Sequence, residues 1–172
     1  MLEAIKPATG PAVWTGEEIS NSDDWIIQLT DSDIKELDAA LSIVENKKTP
    51  IQNITVDEFP LPILGGRLTA FSDELQIGRG FGVIRGLPVN NYNEEASKII
   101  SWGICTYLGA GIPQSRQGDW INHVIDLSDI TSTNNPDLHH IVDRKELRYS
   151  HKGGELRWHT DSADIVALFC IK

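Results

Sequence analysis

The sequence is poor in cysteine, has no long apolar run and carries no excess of positive charge. Its 172 residues include two cysteines, Cys105 and Cys170. They form no CxxC pair, which excludes a zinc ribbon and a disulfide framework. Each sits among apolar neighbours, the setting of a buried, reduced thiol, and reduced thiols point to the cytoplasm. The longest apolar run, Ile165–Ile171, is strand-sized, far short of the roughly 20 residues of a membrane span. The opening residues MLEAIKPATG lack the basic-then-apolar order of a signal peptide. Lys and Arg total 15 against 25 Asp and Glu, a formal charge of −10. Such a chain repels phosphate backbones, so nucleic acid is not an expected partner.

What is present is the composition of a packed domain, 40% hydrophobic and 23% charged, which argues against disorder. Residues 1–29, with Pro7, Gly10, Pro11, Gly16, Trp14 and Trp25, read as irregular structure pinned by aromatics. Thr30 and Asp31 then offer capping oxygens to a helix with Ile34, Leu37, Leu41 and Val44 on one face, closed by Pro50. The acids crowding this region (Glu17, Glu18, Asp23, Asp24, Asp31, Asp33, Glu36 and Asp38) read as a solvated helix face rather than a docking surface. Pro50, Pro60 and Pro62 mark an extended connector. Helices are expected over 63–77, ended by Gly78 and Gly80, and over 93–109. Short strands are expected at Phe81–Gly86, Trp120–Ile125 and Ile165–Ile171, with a polar loop at 127–140. Helices first and strands later make an α+β arrangement.

The run GRGFGVIRG fails as a phosphate loop. Arg85 stands where a dinucleotide fingerprint needs its third glycine, and the run follows a helix and enters a strand, the reverse of the required order. Of the five histidines, His159 stands out, in Leu156-Arg157-Trp158-His159-Thr160-Asp161. On an extended segment, residues two apart project to one face. His159 and Asp161 can therefore present an imidazole nitrogen and a carboxylate oxygen to one ion, two-thirds of the 2-His-1-carboxylate facial triad that holds Fe(II). The bland alternative is a histidine hydrogen-bonded to the carboxylate two residues on.

Three segments in order carry a family resemblance: Gly80–Pro88 with the helix and the Pro113-Gln114 loop after it, Trp120–Asp126, and Glu155–Asp161 followed by Asp164–Cys170. Together they resemble the Fe(II)/2-oxoglutarate-dependent dioxygenases of the taurine dioxygenase (TauD/TfdA-like) type, within the clavaminate synthase-like fold. The resemblance covers about residues 58–172, with 1–57 as an N-terminal helical extension. It implies a double-stranded β-helix, or jelly roll, flanked by N-terminal helices. It also implies Fe(II), 2-oxoglutarate as co-substrate and O2, and hydroxylation of a small organic substrate with release of succinate and CO2. His159 and Asp161 match the family's metal motif. Trp158 and Leu156 are expected to pack beside it, and Gln114 to line the cofactor side. The family also uses a second histidine downstream, then an arginine that clamps 2-oxoglutarate. Ser162–Lys172 contain neither. The expectation is therefore an N-terminal part of a longer enzyme, with the C-terminal part of the barrel missing. On its own it should be inactive and expose apolar strand edges.

Two alternatives come from other classes. One is a non-catalytic β-sandwich binding or interaction domain. The other is a metal hydrolase drawing a third ligand from His123 or His151. Arg144, Arg148 and Arg157 are available to meet an anionic substrate or to form surface ion pairs.

Overall fold

A computed structural model describes residues 6–114, 118–124, 158–161 and 163–171. The chain divides into two compact units, Met1–Ile112 with Ala163–Lys172, and Pro113–Ser162. Unit one is α+β. Its elements are helix α1 (Gly16–Ser20), strand β1 (Ile26–Gln28), helix α2 (Asp31–Lys47), helix α3 (Leu64–Ile77), strand β2 (Val83–Arg85) and helix α4 (Glu94–Cys105).

Helix α2 starts where its cap chemistry dictates. The Thr30 hydroxyl accepts the Asp33 N–H while the Asp33 carboxylate accepts the Thr30 N–H, a reciprocal capping box. At its other end Lys48 turns left-handed with φ 52°, and Pro50 follows. Helix α1 has the same device in Thr15 and Glu18. Asn93 caps α4 by accepting the Ala96 N–H. The predicted helical stripes face inward. Leu37, Val44, Leu64, Leu68 and Ile100 are essentially sealed from solvent, together with Phe59 from the connector. Residues on both sides of position 57 thus contribute to one core. The connector is not merely extended. Its Phe59 carbonyl accepts from the Tyr107 hydroxyl, which in turn accepts the Leu61 N–H.

The N-terminal segment is more ordered than its composition indicates. β1 pairs in parallel with β2, Ile26 opposite Val83, Ile27 opposite Ile84 and Gln28 opposite Arg85. No hairpin can make a parallel pair, so the partners lie far apart in sequence. Here the crossover carries α2 and α3. That long-range pairing is what a local reading of residues 1–29 missed. The glycine-rich run behaves as punctuation. Gly80 and Gly86 take positive φ, 84° and 102°, and a side chain on Gly82 would strike the Phe71 ring.

Two expected strands do not form. Trp120–Val124 is irregular, Ile125 lies outside the described residues, and Ile165–Ile171 is irregular throughout. A strand exists only as a member of a ladder, and among the described residues neither segment has a strand beside it. The polar loop at 127–140 lies outside the described residues. No helix among them is long and apolar enough to cross a membrane.

The acidic run is the clearest departure from expectation. Asp33 is buried and accepts from Arg67 of α3 at 2.7 Å, while Arg67 also donates to the Gln28 carbonyl at 3.0 Å. Glu36 accepts the N–H groups of Ile63 and Leu64, capping α3 from the side of α2. Asp38 accepts the Tyr92 hydroxyl, and Asp24 pairs with Arg79. Asp33 and Glu36 are thus tertiary clasps, whereas Glu17, Glu18, Asp23, Asp24, Asp31 and Asp38 are exposed, as a solvated face requires. Helical periodicity could not show it, because the partners sit on other elements.

Candidate metal centre

Unit two holds the residues singled out for metal. His159 Nε2 and Asp161 Oδ1 stand 3.7 Å apart, each side chain about half exposed. The alternation that sequence spacing requires is therefore realised: one residue separates the two donors, and both project to one side. Two donors bound to one ion at about 2.1 Å are about 3.0 Å apart when adjacent and about 4.2 Å apart when opposite. The observed separation lies inside that span, and the donors reach the adjacent spacing by closing about 0.7 Å. No group of three His, Cys, Asp or Glu side chains suited to a metal occurs among the described residues.

The surrounding expectations divide. Trp158 is fully exposed and does not pack beside His159, contrary to the expected supporting role. Leu156, His139, His140, His151, Arg144, Arg148 and Arg157 lie outside the described residues. Gln114 is exposed. Its N–H donates to the Asp119 carbonyl at 2.6 Å and its own carbonyl accepts from Asn122, so its backbone closes a local loop. His123 is exposed on the same stretch.

Unit one contains a separate apolar cleft of about 350 Å³, walled by Phe71, Leu75, Phe81, Ile84, Ile104 and Phe169, with Ser101 and Cys105 as polar points. Sequence patterning placed these residues only on helix faces and expected strands. It had no means of showing that they leave a cleft beside Asp164–Phe169. Cys105 is half-buried, as expected, and burial pushes its thiol up to about 11. Cys170 is exposed, contrary to the expectation that both cysteines are core residues.

No family model matches the chain. Two curated relatives do. The chain is 27% identical over 167 residues to a taurine hydroxylase-like protein, SAT17, of Stachybotrys chartarum, covering 92% of this chain and 40% of that protein. It is 23% identical over 172 residues to the FR-33289 synthase of Streptomyces rubellomurinus, covering 99% of this chain and 48% of that protein. The chain thus spans less than half the length of the relatives it matches. Nearly all of it aligns to each of them, so the chain is similar along its length to part of a taurine hydroxylase-like protein and part of a synthase, which supports the TauD-like resemblance read from the sequence.

Proposed function

We propose that this chain is the part of an Fe(II)- and 2-oxoglutarate-dependent oxygenase that carries two of the iron ligands, His159 and Asp161. The observation that supports the reading most is the convergence of Nε2 and Oδ1 to 3.7 Å, on a segment inside the stretch matched by the FR-33289 synthase. His159 offers an imidazole lone pair. Asp161 offers a hard anionic oxygen that offsets the ion's charge, a donor set without thiolate that suits Fe(II). When bound, Fe(II) with 2-oxoglutarate supplies O2 activation, so that a C–H bond of a small organic substrate is hydroxylated and succinate and CO2 are released. The protein's task is to fix geometry and leave positions open for co-substrate and oxygen. In this reading residues 1–57 are a helical extension and 58–172 are part of a jelly-roll oxygenase domain, acting in the cytoplasm. Gln114 is assigned to the co-substrate side.

The test is metal binding read at the ligands. Titrate the 172-residue chain with Mn(II), a paramagnetic stand-in for Fe(II), and follow the imidazole C2–H resonances by NMR. The His159 signal broadens first. Asp161→Ala raises the Mn(II) concentration needed by at least about tenfold, the scale on which lost metal-site contacts act. Equal broadening of His159 in the wild type and in Asp161→Ala removes the proposal. With Fe(II), ascorbate and 2-oxoglutarate, the chain alone releases no succinate, because the pair supplies only two donors.

A further inference from the structure

The segment Asp164–Ile171 is the most exposed apolar stretch of unit one. Val166 is 53% exposed and Leu168 is 84% exposed, whereas Ile165 and Phe169 are half-buried and help wall the cleft. Val166, Ala167, Leu168, Cys170 and Ile171 are all exposed, so the segment presents an uncharged, mostly apolar surface covered only at Ile165 and Phe169. No hydrogen bond joins the backbone of Ile165–Phe169 to any other described residue. Five successive residues therefore offer unused donors and acceptors beside a row of apolar side chains. That is the profile of a sheet edge that recruits another strand.

The sequence of this edge indicates which strand. From 165 to 171 it reads Ile-Val-Ala-Leu-Phe-Cys-Ile, uncharged, with Asp164 before it and Lys172 after it. Laid antiparallel on a second copy about a two-fold axis through Leu168, it is self-complementary. Asp164 falls opposite Lys172, Ile165 opposite Ile171, Val166 opposite Cys170, and Leu168 opposite itself. A two-fold pairing uses the same patch on both copies and closes after two. Opposite charges then meet at both ends of an apolar ladder, whereas parallel pairing would place Asp164 beside Asp164 and Lys172 beside Lys172. We propose that the 172-residue chain dimerises through antiparallel pairing of Asp164–Lys172 with the same segment of a second copy, centred on Leu168.

The test combines sedimentation velocity over a concentration series with three changes, helix content being checked by circular dichroism. Leu168→Lys sets two lysines face to face on the axis and should raise the dimer dissociation constant at least about tenfold. Asp164→Lys should weaken the dimer, and adding Lys172→Asp to it should restore the dimer, since the swap re-forms both end pairs. In a Cys170→Ser background, Leu168→Cys should cross-link to itself under mild oxidation. A monomer at every concentration overturns the proposal. So does association that neither responds to the charge swap nor cross-links at position 168, which would be unspecific apolar clustering. Neither result bears on metal binding at His159 and Asp161.

Discussion

Asp33 is the residue at which sequence and structure make opposite quantitative predictions. As part of a solvated face its removal would change stability by less than about 0.5 kcal/mol. In the structure it is 3% exposed. It closes the capping box with Thr30 and takes a charge-assisted bond from Arg67. Losing the cap costs about 1 kcal/mol. Losing the charge-assisted bond costs about 1.5–3 kcal/mol. Arg67 is 40% exposed and recovers water, so the lower end of that range applies. Asp33→Ala should therefore destabilise by about 2–3 kcal/mol. Asp33→Asn, which keeps the cap acceptors and loses the charge, should cost about 1 kcal/mol. Urea titration followed by circular dichroism measures both. Burial pushes the Asp33 carboxyl up, but the Thr30 N–H, Arg67 and the Thr30 hydroxyl together outweigh it and hold the group below the usual carboxylate range. A depressed carboxylate stabilises the fold fully above its unfolded value of about 3.9, and that stabilisation is lost as pH falls through the folded value. The wild type should thus lose its advantage over Asp33→Asn below about pH 4. A cost below about 0.5 kcal/mol for Asp33→Ala, or an advantage over Asp33→Asn that does not change with acid, would refute the clasp.

The remaining expectations concern packing, thiols and alkaline pH. A side chain on Gly103 of α4 would collide with the ring of Phe59, which is fully buried, so Gly103→Ala should destabilise by about 1–3 kcal/mol in the same urea titration despite alanine's better helix propensity. Cys170 is exposed while Cys105 is half-buried with its thiol pushed up to about 11; an aromatic disulfide reagent at pH 8 should label one thiol quickly and the second much more slowly, and two equally fast equivalents would contradict the packing. Burial, then the Asp38 bond, pushes the Tyr92 hydroxyl up to about 12. A raised group stabilises fully below its unfolded value of about 10 and loses that contribution as pH climbs toward 12. Tyr92→Phe should therefore flatten the alkaline limb of a stability–pH curve, and an unchanged limb would count against the Tyr92–Asp38 bond.

Helices α2, α3 and α4 were legible because their signals are local. Thr30 with Asp33 and Asn93 with Ala96 settle the starts within three residues, and Leu37, Leu64 and Ile100 lie on faces that repeat every turn. The His159–Asp161 pair was legible for the same reason, since one intervening residue places both donors together. The β1–β2 pair was not legible, because it joins residues 26 and 83 and nothing near Ile26 names its partner. The roles of Asp33, Glu36 and Asp38 were hidden likewise, as a carboxylate's periodicity is the same whether it meets water or an arginine on another helix. Ile165–Ile171 reverses the case. Its composition reads as strand, but composition only makes a residue fit for a sheet, and the described residues provide no ladder to join. Local pattern alone was enough to say which segments coil, where they begin, and that the side chains of His159 and Asp161 stand together. Which charges are clasps, which strands have partners and which apolar face is left open emerged only in three dimensions, because each depends on groups far apart in the chain.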